Sequence, residues 1–574
     1  MWGVFMKTLT IKRKLESMGV HECSVVLTDQ SICIAGIAES LATKNKAGWY
    51  AAKFHTNVVN NIITDKNACN EDCEHEQAIS NELEGLSYDV IIIGGGIIGC
   101  AVARELSKYE ISIAVFEKEY DVAVHTSSRN DGMIHDGFAA KPGTKKAYYN
   151  VRGNRLWEPL ARDLGIQFRR VGSLILFRTP LNTILYPILA NRAKKNNVDG
   201  WELWSKEKVK KEEPYLLDEQ FGGFYLPSAG IISPYRATVA LAEHAVQNGV
   251  AVHLLTKVIG FEMHDGEIVR VKTNKGTLQA KLVINAAGNW ADIVADLAND
   301  KYFSLHFRKG TDIILDKNTG KWQNHIAAMP NFLQIAEKTK GGGLIPTIEG
   351  NILVGPTATE IAERVDYSTN QDDIKELEKH IRLNKKLNLN QVITYFSGVR
   401  ACTYSEDFLI EKSKKIKNLI HVAGIQSPGL ASAPAIAEDV VTMSLQILSS
   451  RKHILKKDNW NPVRNTYPDL QKLNFKERAE IINKNPGYGK IVCRCETVSE
   501  QEIRDALHSS LPVYTLDAIK RRIRPGAGRC HGGFCTPRVI EILAEETGKN
   551  FSDITKKGYG SNIVLQSLED HASE

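Results

Sequence analysis

The stretch YDVIIIGGGIIGCAVARELSKYEISIAVFEKE, residues 88–119, limits what this 574-residue chain can fold into more than any other. An unbroken apolar run, three glycines, a helix-like segment, a second short apolar run and an acid read as strand, tight turn, helix and strand. Gly94, Gly96 and Gly99 stand at G-x-G-x-x-G spacing. The first serves the tight turn, the second lets a pyrophosphate approach the backbone, and the third packs helix on strand. Glu117 ends the second strand, where a carboxylate takes the ribose hydroxyls of an adenosine. Ordinary strand-to-helix turns also carry glycines, but the complete βαβ unit around these three predicts dinucleotide binding.

The chain beyond Glu117 separates a flavin from a nicotinamide dinucleotide. It does not continue in βα units but enters HTSSRNDGMIHDGFAAKPGTKKA, which is polar and aperiodic. Further pieces of a nucleotide fold come far downstream. LVINAAGNWADIVADL is a strand ending at Ala287-Gly288, and NLIHVAGIQSPGLASAPAIAEDVV is a strand, a glycine loop and a helix with a free N-terminus. Such a helix end presents backbone N–H groups to an anion, or to a flavin oxygen that becomes negative on reduction. VGSLILFRT, GGFYLPSAGIISP, LHFRKGTDIILD and GNILVGPTA are short β-rich runs bounded by Gly and Pro, predicted to form a second sheet that roofs the flavin. One nucleotide fold assembled from distant segments around an inserted sheet is a flavoprotein organisation. Trp157, Trp201, Trp204 and Trp290 read as packing residues.

The length exceeds what one hydrophobic core serves and predicts roughly three to four units. Composition is that of a globular protein, 43% hydrophobic and 24% charged, and no run nears the ~20 apolar residues that cross a bilayer. A net charge of +6 is small for this size and does not call for nucleic acid. The start, MWGVFMKTLTIKRKLESMG, turns charged within its first ten residues and lacks the apolar core and cleavage site of a secretory signal. A cytoplasmic protein with reduced thiols is expected, in which clustered cysteines are ligands. Residues 1–66 form a separable unit: SVVLTDQSICIAGIA is strand-like with a turn at Asp29-Gln30, ATKNKAGWYAAKF is helix-like, and VVNNII is apolar. That order resembles a BON-type α+β module. The acidic TDKNACNEDCEHEQAISNELEG marks a linker over 67–86, where Cys69, Cys73 and His75 read as free side chains rather than a metal site.

Four of the ten cysteines gather near the end, Cys493 and Cys495 as C-x-C and Cys530 and Cys535 as C-x4-C. A disulfide clip, a zinc site and an iron–sulfur cluster compete for them. Reduced thiols disfavour the disulfide, and C-x-C is tight for structural zinc. Between the pairs lie a Thr-Val-Ser-Glu helix start, an amphipathic helix, a second short helix and a Pro-Gly turn. TPRVIEILAEETG starts a further helix directly after Cys535, so that N–H groups face negative sulfur. Arg521, Arg522, Arg524, Arg529 and Arg538 surround the cysteines, to balance cluster charge, to dock an acidic partner or as a solvated basic face.

From about Tyr88 to about Leu448 the chain resembles the FAD-dependent glycerol-3-phosphate dehydrogenases and oxidases of the D-amino-acid-oxidase-like superfamily, on TSSRNDGMIHDG, GNILVGPTA, FSGVRA and GIQSPGLASAPA. The L-2-hydroxyglutarate dehydrogenase group shares RN-x-G-x-IH-x-G. The spacing C-x-C-x34-C-x4-C resembles the bacterioferritin-associated-ferredoxin-like domain, which implies a 2Fe-2S cluster on Cys493, Cys495, Cys530 and Cys535. Family members with such an added domain are the anaerobic-type dehydrogenase subunits.

The resemblance implies an α/β multidomain fold. A Rossmann-like FAD domain of the glutathione-reductase type spans residues 87–450, with nucleotide segments near 87–150, 235–295 and 395–450 and an inserted β-rich substrate domain. The small N-terminal module precedes it, and a linker over 451–487, a small helical 2Fe-2S domain over 488–550 and a tail over 551–574 follow. FAD is implied to be non-covalent, on Gly94, Gly96, Gly99, Glu117, Thr126, Ser127, Arg129, Asn130, Gly132, Val258, Ala287, Gly288, Gly424, Ser427, Gly429 and Leu430. His125 is the suspect for covalent attachment, but the hydroxyglutarate-type motif carries a histidine there without a bond. Alcohol oxidation needs a base near the hydroxyl and a cation for the substrate anion. By resemblance these are His135 and Arg400, with Lys340 as a second cation near the flavin and Ser427 offering a hydroxyl. The implied activity is oxidation of sn-glycerol 3-phosphate to dihydroxyacetone phosphate, with electrons leaving through the cluster. The alternatives are a 2-hydroxy-acid dehydrogenase, most plausibly for L-2-hydroxyglutarate, and a non-catalytic electron-transfer subunit, against which His135 with Arg400 argues. Expected partners are a redox subunit or a quinone- or NAD-linked flavoprotein acceptor, in an oligomer with no nucleic acid and with peripheral membrane association left open.

Overall fold

The computed structural model describes residues 2–64, 79–328 and 342–565. The N-terminal unit is α1 (Trp2–Glu16), β1 (Val20–Leu27), β2 (Ile32–Ala38), α2 (Leu41–Ala51) and β3 (Val58–Thr64). β1 and β2 form a hairpin closed at Leu27 and Ile32, and β3 adds parallel to β2. Ser40 caps α2 by accepting the Thr43 N–H. The charged opening segment, in which no element was anticipated, is helix α1. Its Ile11 and Leu15, one turn apart, are fully buried with Val20, Ile34 and Ala47, while its charges face outward. Cys69, Cys73 and His75 lie outside the described residues.

The central domain is built on β4 (Ser87–Ile93), α3 (Ile97–Leu106) and β5 (Ile113–Phe116). β4 pairs in parallel with β5 on one side and with the strand Gly276–Asn285 on the other. Ala251–His253 extends the sheet beyond β5, and Leu419–Ala423 adds parallel to Gly276–Asn285. Segments more than a hundred residues apart therefore lie side by side, all with their C-terminal ends at one edge. Val90 and Ile92 point into a core with α3 and the helices Lys145–Asp163, Pro234–Gln247 and Gly429–Ser449. Ile91 and Ile93 point into a second core with Val271, Val283 and Val294, which is why β4 is apolar at successive positions.

Among the described residues the inserted β-rich region holds a nine-stranded sheet. Its longest pairing is antiparallel, Leu305–Leu315 against Val392–Thr403. Residues 451–487, expected as a linker, lie along the central domain: the Glu110 N–H donates to the Leu455 carbonyl at 2.9 Å, Trp460 Nε1 donates to Ser107 Oγ at 3.0 Å, and Phe475–Lys484 is a helix capped by Asn474. The C-terminal unit has helices Glu500–Leu507, Leu516–Ile523 and Thr536–Thr547 around Ile503, Leu507, Ile519, Ile542 and Leu543. The first starts in a capping box of Ser499 and Glu502, within and just beyond the Thr-Val-Ser-Glu start read from the sequence.

Candidate active site

At the C-terminal end of β4 the chain turns through Gly94, whose φ is +111° and whose added Cβ would lie 2.5 Å from the Ala286 carbonyl oxygen. A Cβ on Gly99 would stand 1.9 Å from the Gly94 carbonyl oxygen, so α3 abuts the turn closely. Gly96 is the N-cap of α3 and offers it no side-chain cap. Glu117 is buried, accepting the Gly95 N–H at 2.7 Å and the Glu119 N–H at 2.9 Å. Burial pushes its carboxyl up, and the Glu119 and Gly95 N–H groups oppose the rise. In front of this turn opens a cleft. Gly94, Gly96, Glu117, Thr126, Ser127, Val258, Ala287 and Gly288 all line it, and a Cβ on Gly288 would project into open space. Backbone N–H groups at the glycine turn and at the start of α3, where Ser127 Oγ accepts the Ile97 N–H at 2.9 Å, together with glycines in the cleft wall and an acid beside the turn, fit the nucleotide half of a dinucleotide.

Residues 125–135 wind from this cleft towards the second sheet. Thr126 Oγ1 donates to the Val399 carbonyl at 2.7 Å. Asn130 Nδ2 donates back to the Thr126 carbonyl at 3.1 Å while its Oδ1 accepts the Gly132 N–H at 3.1 Å. Gly132 has φ +68°, and a Cβ there would meet the Ile232 carbonyl at 2.4 Å. The Arg129 guanidinium lies 4.0 Å from the Tyr367 ring centre. His125 Nε2 is 2.8 Å from Glu119 Oε1, and its Nδ1 pairs with the Tyr367 hydroxyl.

The winding ends at His135, whose Nε2 is 3.3 Å from Ser427 Oγ. These residues are 292 positions apart. Ser427 leads into a cis bond to Pro428, the N-cap of Gly429–Ser449. Gly424 takes φ +65° against the Thr403 methyl, and the Leu430 carbonyl accepts Trp157 Nε1 at 2.9 Å. Arg400 comes from the roof sheet. Register places Arg308, Gly310 and Asp312 opposite Arg400, Gly398 and Phe396, and these share one face because side chains alternate along a strand. That face meets the winding loop, since a Cβ on Gly398 would stand 2.1 Å from the Arg129 carbonyl oxygen. Arg400 reaches the Thr357 carbonyl at 3.3 Å, and a Cβ on Gly310 would clash with its guanidinium. Beside it, burial and Asp131 drive the Asp312 carboxyl well above the usual range against the pull of Arg400. Lys340 lies outside the described residues.

The four C-terminal cysteines converge as free thiols. Cys495 Sγ and Cys530 Sγ are 3.5 Å apart. The Cys493 thiol is drawn down to about 6 by its hydrogen bond with Cys535, helped by the Gly526 and Glu496 N–H groups, while Cys535 is pushed up as the partner that keeps the proton. Burial would raise Cys530, but the Gly532 N–H, the Cys495 thiol and the Phe534 N–H bring it down. Cys535 is also the N-cap of Thr536–Thr547. Four thiols under several N–H donors and a helix N-terminus fit an anionic iron–sulfur cluster.

Two readings are corrected. Trp290 lines the cleft, with Lys118 Nζ 3.6 Å from its ring centre, whereas Trp157 and Trp204 are buried in cores and Trp201 stacks on Phe224. Arg521 and Arg522 are not a solvated face: both bind Asp121, Arg522 through two bonds of 2.9 and 3.2 Å. Asp121 stands in the loop after Glu117 and is fully buried. In sequence its carboxylate is one acid among several in EKEYD, with nothing local to set it apart.

The family described as FAD dependent oxidoreductase matches residues 89–443, and the BFD-like [2Fe-2S] binding domain matches residues 491–545. A glycerol 3-phosphate dehydrogenase of Caloramator mitchellensis is 41% identical over 479 residues, covering 83% of this chain and 98% of that protein. The dithionite-reduced L-alpha-glycerophosphate oxidase of Mycoplasma pneumoniae with FAD bound superposes with a TM-score of 0.61 at 31% identity, over 67% of this chain and 99% of that one. An L-2-hydroxyglutarate dehydrogenase of Escherichia coli strain K12 is 26% identical over 415 residues, covering 64% of this chain and 95% of that protein. The glycine turn, the roof and all but the first two residues of the parallel sheet fall inside residues 89–443, and with them the chain belongs to the FAD dependent oxidoreductase family.

Proposed function

We propose that the protein oxidises sn-glycerol 3-phosphate to dihydroxyacetone phosphate and passes the electrons through a 2Fe-2S cluster to an external acceptor. The observation that carries this reading is His135 Nε2 facing Ser427 Oγ at 3.3 Å, with Arg400 on the roof-sheet face that meets the loop leading to His135. Likeness to the Caloramator dehydrogenase, at 41% identity, supports the substrate. FAD, held by Gly94, Gly96, Glu117 and Gly288, supplies the acceptor for the hydride that leaves the secondary carbon. His135 Nε2 takes the hydroxyl proton, an imidazole being matched to that task near neutral pH. Ser427 Oγ fixes the same hydroxyl. Arg400 holds the phosphate: its guanidinium reaches one backbone carbonyl, that of Thr357, and keeps further donors for a bidentate anion. Cys493, Cys495, Cys530 and Cys535 hold the cluster, whose chemistry is one-electron transfer.

We place the protein in the cytoplasm, where its thiols stay reduced. No helix among the described residues is long and apolar enough to cross a membrane, so a quinone or a flavoprotein acceptor is met at a surface. The experiment is anaerobic bleaching of the bound flavin by glycerol 3-phosphate, L-2-hydroxyglutarate, L-lactate and amino acids, followed by acid release. Fast bleaching by glycerol 3-phosphate alone and free FAD in the supernatant are expected. Preferential bleaching by L-2-hydroxyglutarate would replace the substrate, and flavin retained on the denatured chain would make His125 a covalent ligand.

A further inference from the structure

The N-terminal unit is seated on the roof sheet next to the reaction site. The Ser304 N–H donates to the Val58 carbonyl at 2.8 Å, and the Asn60 N–H donates to Ser304 Oγ at 3.1 Å, so β3 is tied to the start of Leu305–Leu315. The Tyr404 ring lies flat against α2 at Gly48, where an added Cβ would stand 2.3 Å from it. The Tyr404 hydroxyl donates to Asn45 Oδ1 at 3.2 Å, and Asn45 Nδ2 donates to Glu360 Oε2 at 3.3 Å. The Trp49 ring meets His306 edge-on at 5.4 Å.

Beneath this cover lie two carboxylates and two cations. His306 Nδ1 is 2.8 Å from Glu360 Oε2, and its Nε2 is 3.3 Å from Glu406 Oε1. Arg308 Nε donates to Glu360 Oε1 at 2.6 Å and its NH2 to Glu406 Oε1 at 2.8 Å. Cys402 lies within 4.8 Å of the His306 and Glu406 ligand atoms, but Arg308 already supplies the positive charge that a metal would bring. Burial alone would raise Glu406; His306 and Arg308 hold it well below the usual carboxylate range. Its second oxygen, Oε2, accepts Gln426 Nε2 at 3.0 Å. Gln426 is buried and immediately precedes Ser427. Its carbonyl accepts the Gly429 N–H at 2.6 Å, closing the turn that carries Ser427 towards His135.

We propose that Glu406 is a positioning residue: through Gln426 it fixes the turn that sets Ser427 against His135, and the N-terminal unit serves the reaction by covering the charge network that holds Glu406. The proposal rests on the proposed function in so far as Ser427 and His135 meet the substrate. A carboxylate locked by two cations is a rigid acceptor, and a displacement of about 1 Å at a reacting group costs up to ~10²-fold in rate.

The test uses the flavin- and cluster-loaded full chain, with stopped-flow reduction by glycerol 3-phosphate and the visible spectrum of the oxidised flavin. Gln426→Glu sets two carboxylates face to face. It is expected to slow reduction about tenfold or more at nearly unchanged substrate affinity and to shift the flavin spectrum. Glu406→Gln placed in that background restores one carboxylate facing one amide and is expected to recover most of the rate and the parent spectrum. A merely structural role gives no such rescue, so two losses that multiply overturn the proposal. Gly48→Leu wedges α2 off Tyr404, and with it Asn45 off Glu360 and Trp49 off His306, while leaving the four network side chains themselves unchanged, and a rate lowered severalfold at full FAD and iron content is expected. Parent rate and spectrum in a variant shown by proteolysis to have a detached N-terminal unit overturn the covering role. If His135→Ala reduces at the parent rate, the proposed function of the site fails, while the spectral rescue between positions 406 and 426 still decides the contact.

Discussion

The substrate pocket and the cysteine centre are two ends of one electron route, made from opposite materials. The proposed pocket draws on His135 and Ser427, which come together across 292 positions, and on Arg400 of the roof sheet. Its cation sits on a side chain, Arg400, whose hydrogen bonds reach a backbone carbonyl and whose charge is left for the substrate anion. The cysteine centre comes from one short segment, and N–H groups of Gly526, Gly532, Phe534 and Glu496 supply the balancing dipoles. A site made locally survives the loss of a distant partner, whereas one made from distant pieces does not. Each centre should therefore be removable without the other.

The largest expected effect is at the cysteines. Cys493→Ser removes a buried thiolate ligand, and iron and acid-labile sulfide should fall from about two per chain to none. Flavin reduction by glycerol 3-phosphate should proceed as in the parent, because the pocket lies wholly in the central domain. Turnover with the external acceptor should collapse. Zinc without sulfide in the parent, or a cluster-free variant that turns over as fast as the parent, would sink the assignment.

Next come the pocket residues. His135→Ala should slow flavin reduction by roughly two to four orders of magnitude, the usual worth of a general base, with iron content intact. Arg400→Ala should act on affinity, weakening glycerol 3-phosphate binding by about ten- to a hundredfold for the loss of charge-assisted bonds to one anion. The comparison breaks if either variant loses its cluster, for the two centres would then share folding energy.

The contrast also explains what was legible. The glycine turn, the capping box at Ser499 and the cysteine spacing are local patterns, and chain geometry alone gives them meaning. His135 and Arg400 were reached only by resemblance, because a histidine after an apolar pair or an arginine on a strand carries no sign of its partner. The His306, Arg308, Glu360 and Glu406 network left no trace, since its members sit on two strands and a turn and pair across up to 100 positions. Helix α1 was missed for another reason. Its buried stripe amounts to Ile11 and Leu15 within a run of lysines and arginines, too few apolar positions to show a period.

The smallest effect is expected where the two ends touch. Asp121 leaves the loop after Glu117 and receives both Arg521 and Arg522 from the helix Leu516–Ile523, so the cluster domain grips the segment that borders the flavin cleft. Burial alone would raise this carboxyl, but Arg522 and Arg521 hold it below its ordinary value. A depressed native value means that the stabilisation is fully present above the ordinary carboxylate pKa of about 4 and is lost only as pH falls through the lower native value. The grip therefore does not titrate near neutrality. Asp121→Asn keeps the shape but gives up a charge-assisted partner worth about 1.5–3 kcal/mol, which corresponds to a roughly ten- to hundredfold rise in local opening. Amide exchange in Leu516–Ile523 should speed up by that factor at pH 7, with the cluster absorbance and the flavin reduction rate at parent values. Unchanged protection of that helix would mean that apolar packing alone seats the cluster domain. A slowed flavin reduction would mean that the grip also shapes the cleft, and the independence of the two ends would then hold for their chemistry but not for their geometry.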